Sequence, residues 1–557
     1  MNQFFLTTKE ELCMSRISKE VKNLKEHNKY HANTVINFEG GESFTINPLM
    51  RLTMIAASSF FGEASFYRSN IKDGKFGVDT SWYDTKDTLG NDRLFKEFDG
   101  KTTTEVFEEA IDAALDYDFE ETLKMAVTLR HEYYMRLNPQ IIMVRASIHP
   151  KRQEWTKANP GKFAAYQKQV LTRADEPMSQ LAYYLWLNDG NKNKIPSILK
   201  RSLAAKLDSL SRFDVNKYKN AEIGMINAVR LTHAHSDILD ELMKTGTIEV
   251  EDNEVTWEQK RSAGMSWEEI YKTTHFGHMA LLRNIRNFFS EVTDDALCKD
   301  YLMELENGVR TGKQFPYRYY SAYKQLEKAE INHKGWVLDE LESCIDISIK
   351  EMPQLPGKTA ILSDNSGSAW NAFTSEYGTT QIAEIDNLSA VIAGMCSEEA
   401  QIVKFGTTCK WFEVSKRNGA LIQANKINDG KYNDVGGSTE PGVDEFFQEI
   451  LNKKIKYDNI IIYSDLQVGH LTLGRRDSWG YRNTNRSLNI NVYQALDKYR
   501  REVNPKVNFF SIQTAGYDNV LVPEMAYRCA FLSGWTGKET QFMEKYINIW
   551  NELEQKK

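Results

Sequence analysis

The 557-residue sequence has few cysteines, and none of them lies in a paired motif. The six cysteines are scattered along the chain without a C-x-x-C pair, which argues against both a zinc cluster and a disulfide framework. Free, scattered cysteines are typical of a reducing compartment.

Long apolar runs are also missing. The first residues lack a basic segment followed by a long apolar one, and no later stretch reaches the length of a transmembrane helix. Hydrophobic residues still make up 41% of the chain, enough to bury substantial cores in two or more domains. We therefore expect a soluble, cytoplasmic protein.

A short polar motif follows a buried strand in the last third of the chain. Asp364-Asn365-Ser366-Gly367-Ser368 comes directly after the apolar run Ala360-Ile361-Leu362. One carboxylate and two hydroxyls from alternate residues suit a hard divalent cation such as Mg²⁺, with Ca²⁺ or Mn²⁺ as alternatives. The motif alone is more typical of an ordinary turn than of a metal site.

The surrounding pattern favours a metal site over a turn. Residues 380–395 have helical spacing, 400–405 and 410–414 have strand character, and Gly436-Gly437-Ser438-Thr439 begins another helix. A second buried strand, 459–465, ends in Asp465. Alternating strands and helices predict an α/β doubly wound parallel sheet, where ligands bind at the carboxyl ends of the strands.

This set of loops resembles the von Willebrand factor type A domain and its metal-ion-dependent adhesion site. The resemblance implies that Asp364, Ser366 and Ser368 contact the metal, that Thr439 or its neighbour Ser438 completes the set, and that Asp465 ligates directly or through water. The open metal position would suit an acidic side chain of a partner protein. No nucleophile with a nearby base occurs in these loops, so we expect no catalytic residues and no enzyme activity.

The preceding part of the chain is dominated by helical spacing. Amphipathic or buried helices are predicted at residues 49–61, 105–115, 121–135, 178–187, 197–213, 279–289 and 337–349. Many short helices in succession indicate an α-solenoid of HEAT-like pairs, although the sequence has no exact period. The prolines in segment 353–357 favour a boundary there, giving a helical domain at 1–352 and an α/β domain at 353–557.

Positive charge is concentrated in one band of the helical part. Residues 150–219 contain 14 lysines and arginines against six acids, net +8, whereas the whole chain has a net charge of −7. Within it, Lys200, Arg201, Lys206 and Arg212 lie away from a leucine stripe. Such a band is typical of a nucleic-acid surface, and a solvated face is the alternative.

Several segments resemble the TROVE module of Ro ribonucleoproteins. Lys217-Tyr218-Lys219 and Val229-Arg230-Leu231-Thr232-His233 are similar to its K-Y-K and R-L-[ST]-H segments, and 52–67 is similar to its early helix with an aromatic end. A TROVE module followed by a von Willebrand A domain is the organisation of the Ro family and its bacterial and phage relatives.

This resemblance implies a closed ring of HEAT-like helices that binds small structured noncoding RNA, called Y RNA, and the ends of misfolded RNA. The role would be RNA stabilisation or quality control, with an exoribonuclease tethered through the RNA and with the protein itself a monomer. The RNA-binding candidates are Lys200, Arg201, Lys206, Arg212, Lys217, Lys219, Arg230 and His235. The sequence departs from the family at Ala234-His235-Ser236, where a Lys-Pro usually follows the R-L-[ST]-H segment, and it lacks a histidine near Met225.

Two alternative functions and the roles of two further features remain open. A metal-dependent protein-binding scaffold with no specific RNA is the main one, and a metal-dependent hydrolase using Asp364 and Asp465 is weaker. His275 and His278 have helical spacing that suits a metal, although core or capping roles are the commoner explanation. Residues 471–488 mix four arginines with Trp479 and Tyr481, a composition that fits either an RNA or partner contact or a surface insertion.

Overall fold

The computed structural model describes most of the chain. Described residues are 34–36, 42–44, 48–57, 103–132, 135–188, 190–219, 223–250, 255–312, 314–371, 380–466, 468, 471–473, 490–514, 521–522, 526–533 and 539–555. The TROVE-like segment at 62–67 and all but three residues of the arginine-rich segment 471–488 lie outside this part. No helix in the described ranges is long and apolar enough to cross a membrane.

Helices dominate the described residues between Pro48 and Lys350, after a two-stranded antiparallel ribbon of β1 (Thr34–Ile36) and β2 (Glu42–Phe44). The helices are α1 (Pro48–Ala57), α2 (Thr103–Tyr117), α3 (Phe119–His131), α4 (Asn138–Ile148), α5 (Arg152–Ala158), α6 (Lys162–Val170), α7 (Glu176–Leu187), α8 (Ser197–Leu207), α9 (Arg212–Tyr218), α10 (Met225–Thr232), α11 (Asp237–Thr245), α12 (Trp257–Ser262), α13 (Trp267–Thr273), α14 (His278–Glu291), α15 (Asp295–Asn307), α16 (Val309–Gly312), α17 (Pro316–Glu327) and α18 (Lys334–Lys350). Successive helices pack on one another, α1 on α2, α3 on α4 and α17 on α18.

One predicted helix is two helices. The spacing predicts a single helix over 197–213, but α8 ends at Leu207 and α9 begins at Arg212. The break arises because Ser211 and Asp214 form a capping box, in which each side chain satisfies a backbone N–H of the other residue. Leu210 is buried between the two helices, so it extends the leucine stripe without being helical. The short helices α5 and α12 were not predicted. Neither has a buried residue, so neither has an apolar stripe in its sequence.

The last third forms a mixed six-stranded sheet with helices on both faces. Its strands are β3 (Leu355–Asp364), β4 (Ser397–Phe405), β5 (Cys409–Glu413), β6 (Asn459–Ser464), β7 (Asn508–Gln513) and β8 (Cys529–Ser533), and its helices are α19 (Gly367–Asn371), α20 (Ile382–Met395), α21 (Ala420–Asn428), α22 (Glu440–Asn452), α23 (Val492–Glu502) and α24 (Glu539–Gln555). The strand order is β5-β4-β3-β6-β7-β8. All neighbours are parallel except β4 and β5.

This order places a topological switch point between β3 and β6. The chain leaves β3 toward β4 on one side and leaves β6 toward β7 on the other, so the loops after β3 and β6 diverge and open a crevice between them. Asp364 ends β3, and Asp465 directly follows β6. The polar loops predicted from the sequence therefore lie at the edge where this fold binds ligands.

The hydrophobic cores do not follow the predicted boundary at 352/353. One cluster joins residues of the first eleven helices, from Leu49 to Ile248. A second cluster contains residues from Trp267 in α13 to Trp550 in α24. The later helices therefore share one core with one face of the sheet. A third lies between the opposite face and α22 and α23.

Polar contacts reinforce the junction between helices and sheet. The Tyr317 hydroxyl lies 2.5 Å from Ser389 Oγ on α20, and Lys324 forms a 2.9 Å ion pair with Glu384 on the same helix. At the other end of the chain, α1 lies beside β8. Helix α20 therefore connects the sheet edge to the helical part directly.

Candidate metal centre and nucleic-acid interface

The loop after β3 is folded around Asp364. The Asp364 side chain is fully buried, and its Oδ1 accepts a 2.8 Å hydrogen bond from the Ser366 backbone N–H. Ser366 Oγ and Ser368 Oγ lie 2.9 Å apart, as expected for alternate residues of a tight loop. Burial raises the pKa of Asp364, and the hydrogen bonds from Ser464 and Ser366 oppose that shift.

A buried amide network holds this loop in place. Asn365 Nδ2 donates to Asn387 Oδ1 over 2.8 Å, and Asn387 Nδ2 donates to Asn365 Oδ1 over 3.0 Å. Ser363 Oγ donates to Asn387 over 2.7 Å, and Trp370 Nε1 donates to Asn365 over 3.1 Å. The loop is therefore anchored to α20 before any ligand binds.

The Gly-Gly-Ser-Thr loop lies directly against it. The Gly367 N–H donates a 2.9 Å hydrogen bond to the Gly437 carbonyl. Thr439 is buried at the start of α22, and its side chain makes no cap hydrogen bond, whereas Ser438 is exposed. This difference in burial favours Thr439 over Ser438 as the residue that faces the site.

The loop after β6 completes the edge. Ser464 Oγ donates to Asp364 Oδ2 over 2.5 Å, and the adjacent Asp465 is buried. Gln513 Nε2 donates to the Asp465 carbonyl over 2.9 Å, which fixes the backbone there. Asp364, Ser366, Ser368, Thr439 and Asp465 are thus all contributed by three neighbouring loops at one sheet edge.

One carboxylate at this edge was not identified from the sequence. Asp386 of α20 is fully buried, and neither of its side-chain oxygens has a hydrogen-bond partner among the residues that the structure describes. Burial raises the pKa of Asp386 well above its usual range, and the charges of Asp364 and Asp465 raise it further. The Thr514 hydroxyl favours the charged form, but the two groups lack hydrogen-bond geometry. The available sequence signal was a second acid, two residues after Glu384, in the otherwise apolar helix 382–395.

The donors at the edge are all oxygen atoms, the type that Mg²⁺, Ca²⁺ and Mn²⁺ prefer. Within the described ranges, no group of three or more His, Cys, Asp or Glu side chains could hold a metal ion. A cation here would therefore depend on the hydroxyls of Ser366, Ser368 and Thr439 together with one or two carboxylates.

Basic side chains from α3, α8 and the loop between α6 and α7 lie around Thr172, and two of them, Arg130 and Arg173, are paired with Glu176 and Asp175. Lys206 Nζ of α8 donates to the Thr172 carbonyl over 3.2 Å, and Arg130 of α3 donates to its hydroxyl. Arg173 donates to the Tyr218 hydroxyl over 2.8 Å, and Lys217 Nζ lies 5.5 Å from the centroid of the exposed Phe213 ring. The fold thus collects charges that are up to 87 positions apart in the sequence.

Two of the predicted RNA-binding residues are paired with acids. Arg212 donates to both carboxylate oxygens of Glu241, over 2.8 and 2.7 Å, and this pairing lowers the pKa of Glu241. His235 lies 3.1 Å from Asp240. Arg212 belongs to α9 and not to α8, so it does not lie on the same helix as Arg201.

The other predicted residues have no ion-pair partner within the part of the chain that the structure describes. They are Lys200, Arg201, Lys206, Lys217, Lys219 and Arg230. Arg201, Lys217 and Arg230 are exposed, and His233 beside Arg230 is exposed with a left-handed backbone.

His275 and His278 do not form a metal pair on one helix. His278 begins α14, while His275 precedes the helix and is exposed. His278 Nε2 lies 2.7 Å from the Tyr319 hydroxyl, and burial lowers the pKa of His278. A core role therefore accounts for His278.

Comparison of the whole fold identifies its class. Helices that continue into a doubly wound α/β sheet, with polar loops at the switch point, define a two-part Ro-like architecture. The structure is similar to the crystal structure of the Deinococcus radiodurans Ro protein (RSR), with a TM-score of 0.53 and 12% sequence identity over 88% of this chain and 99% of that one. No protein family and no curated protein matches the sequence itself. The TROVE and Ro resemblance is therefore confirmed at the level of the fold.

Proposed function

We propose that this protein binds RNA as the protein component of a Ro-type ribonucleoprotein. Its ligand would be a small structured noncoding RNA of the Y RNA kind, together with the ends of misfolded RNA, in RNA stabilisation or quality control. The observation that carries this proposal is a set of cations on a Ro-like fold that have no ion-pair partner in the described ranges: Lys200, Arg201, Lys206, Lys217, Lys219 and Arg230.

The physical basis is electrostatic. A cation already neutralised by a neighbouring carboxylate gains little from a phosphate, whereas an unpaired exposed cation releases counterions when it meets one. Arg201 on α8 is exposed, and Lys200 and Lys206 on the same helix are half-buried without an ion-pair partner among the described residues. The exposed Phe213 ring beside Lys217 adds a surface on which an unpaired base can stack.

The proposed architecture is a closed ring. Helix α1 at the beginning of the helical part lies beside β8 near the end of the chain, and α17 and α18 pack on the sheet at the other end of the helical part. Contacts at both ends support a solenoid that returns to the α/β domain, which we assign to the von Willebrand A type. The working form would be a cytoplasmic monomer.

We also propose that the sheet edge holds one divalent cation, preferably Mg²⁺. Asp364, Ser366, Ser368 and Thr439 would ligate it, and Asp465 would do so directly or through water. The site would not be catalytic, because Asp364 and Asp465 would serve as metal ligands and could not act as general bases. A partner protein at this site, or an exoribonuclease tethered through the RNA, remains an additional proposal.

RNA that copurifies with the intact protein from its natural host at moderate salt tests the main proposal. We expect sequencing to find one or a few structured small RNAs. The combined variant Lys200→Gln, Arg201→Gln and Lys206→Gln should lose this RNA and show a shallower salt dependence of binding, by about 0.7 in log–log slope per lost single-strand contact.

A control with the same charge loss is Arg283→Gln, Arg286→Gln and Lys328→Gln, because these exposed cations lie on α14 and directly after α17, outside the basic band. The control should retain the RNA. Equal loss in both variants would indicate a nonspecific charge effect. Absence of any enriched RNA from the natural protein would favour the protein-binding scaffold.

A further inference from the structure

The unpartnered carboxylate of Asp386 is the feature that the proposed ligand set does not explain. A fully buried carboxylate without a hydrogen-bond donor among the described residues is costly in the charged form, because no such protein group replaces its hydration. Protonation would not resolve the cost, since the new O–H would itself lack an acceptor. A bound ligand that supplies donors or positive charge would resolve it.

The surroundings of Asp386 indicate where that ligand lies. The charges that act on it most strongly are the carboxylates of Asp364 and Asp465, the two acids of the sheet edge. The Thr514 hydroxyl beside it is also fully buried and has no hydrogen-bond partner within the described part of the chain. Two unsatisfied oxygen groups therefore border the same edge as the predicted metal ligands.

Helix α20 fixes the position of Asp386. The next residue, Asn387, is hydrogen-bonded to both Ser363 and Asn365 of the metal loop, so the helix cannot turn Asp386 away without breaking that network. Asp364, Asp386 and Asp465 do not form a three-carboxylate group that could hold a metal ion directly, in a search limited to the described residues. This result agrees with a place for Asp386 outside the direct ligands, from which it would act on a cation through an intervening water.

We infer that Asp386 is a positioning residue of the metal site, which accepts hydrogen bonds from the water shell of a divalent cation bound between Asp364 and Asp465, with Thr514 as its neighbour. This inference rests on the proposed metal site. It adds a third carboxylate, so the site keeps one net negative charge after a divalent cation binds. The open metal position then favours water or a neutral ligand and disfavours an acidic side chain, contrary to the expectation from the sequence.

Mn²⁺ binding to the full chain, followed by electron paramagnetic resonance, tests this role. Asp386→Asn should weaken Mn²⁺ binding about 10- to 100-fold, the range found when groups around the direct ligands are changed. Glu384→Gln is the matched control, because it removes the same charge from the same helix while Glu384 faces Lys324. Its Mn²⁺ affinity should stay within about twofold of the unchanged protein.

Acetate provides a readout that a purely structural role would not change. At saturating Mn²⁺, acetate should displace metal-bound water in Asp386→Asn, as measured by water-proton relaxation, but not in the unchanged protein. Equal displacement in both proteins would overturn the inference. If Asp386→Asn does not fold, Thr514→Val decides the matter: weaker Mn²⁺ binding supports the inference, and unchanged binding overturns it.

Failure of the metal site itself would look different. If Asp364→Ala abolishes Mn²⁺ binding while Asp386→Asn binds within twofold of normal, the metal site stands and the role of Asp386 is wrong. If the unchanged protein binds no Mn²⁺, or if Asp364→Ala binds it normally, both proposals fail.

Discussion

Ser464 donates a 2.5 Å hydrogen bond to Asp364, although the two residues are 100 positions apart in the sequence. The bond joins the ends of the adjacent parallel strands β3 and β6. It connects the two loops that open at the switch point, so the predicted metal ligands on β3 and after β6 are held together by the protein alone.

Replacing Ser464 with alanine should destabilise the protein. The change leaves one oxygen of a fully buried carboxylate without a donor, which costs about 2 kcal/mol. Urea unfolding followed by circular dichroism measures the effect. Ser290→Ala is the control, because its hydroxyl bonds the Arg286 carbonyl at an exposed position. If Ser464→Ala lowers the free energy of unfolding no more than Ser290→Ala does, the hydrogen bond to Asp364 contributes nothing to stability.

Thr439 and Ser438 should differ in their effect on cation binding. Thr439 is buried and Ser438 is exposed, so Thr439→Val should weaken Mn²⁺ binding at least about tenfold while Ser438→Ala leaves it unchanged. Titration with Mn²⁺ under electron paramagnetic resonance compares the two. The opposite order would assign the ligand to Ser438 and shift the register of the loop by one residue.

Arg201 and Arg212 should have separate roles. Arg201→Gln should weaken RNA binding and leave the melting temperature unchanged, because Arg201 is exposed and has no acid partner among the described residues. Arg212→Gln should lower the melting temperature slightly and affect RNA binding less, because it removes the bidentate pair with Glu241. Filter binding and thermal denaturation provide the two readouts. Equal loss of RNA affinity would show that the Glu241 pair opens on binding.

The Lys324–Glu384 pair should couple the helical part to the sheet. Both side chains are largely buried, at 22% and 13% exposure, so a double-mutant cycle with Lys324→Met and Glu384→Gln should give a coupling of roughly 1 kcal/mol. Urea unfolding of the four proteins measures it. Strictly additive effects would mean that the two residues contribute independently.

Glu340 should make stability fall as the pH rises. Burial raises the pKa of Glu340 to about 7, and the charge of Glu306 adds to the shift. The folded state therefore binds more protons than the unfolded state between about pH 4.5 and 7, and the protein loses stability across that window.

Glu340→Gln removes this titration. It should stabilise the protein above pH 7 by roughly 1 kcal/mol, after allowance for solvent screening of a half-buried group, and have little effect below pH 4.5. Thermal denaturation from pH 4 to 8 checks this, with the exposed Glu330→Gln as the control. A constant difference between Glu340→Gln and the unchanged protein at every pH would contradict it.

Local patterns predicted the elements that have strong periodicity. The helices around 105–115, 178–187, 279–289 and 337–349 are confirmed, as are the strands ending at Asp364 and before Asp465. The spacing failed at 208–211, where a capping box interrupts a leucine stripe that continues through both helices. Helix α4 was not predicted because it is buried on nearly all sides and therefore has no amphipathic period.

The sequence by itself determined which residues end the strands and which cations form the basic band, because apolar runs, caps and charge counts are local properties. Only the tertiary structure decided that Ser464 bonds Asp364, that Glu241 neutralises Arg212, and that Asp386 is buried without a partner. These outcomes depend on which distant groups the fold brings within about 3 Å of one another and excludes from water, since hydrogen bonds and ion pairs act over that range.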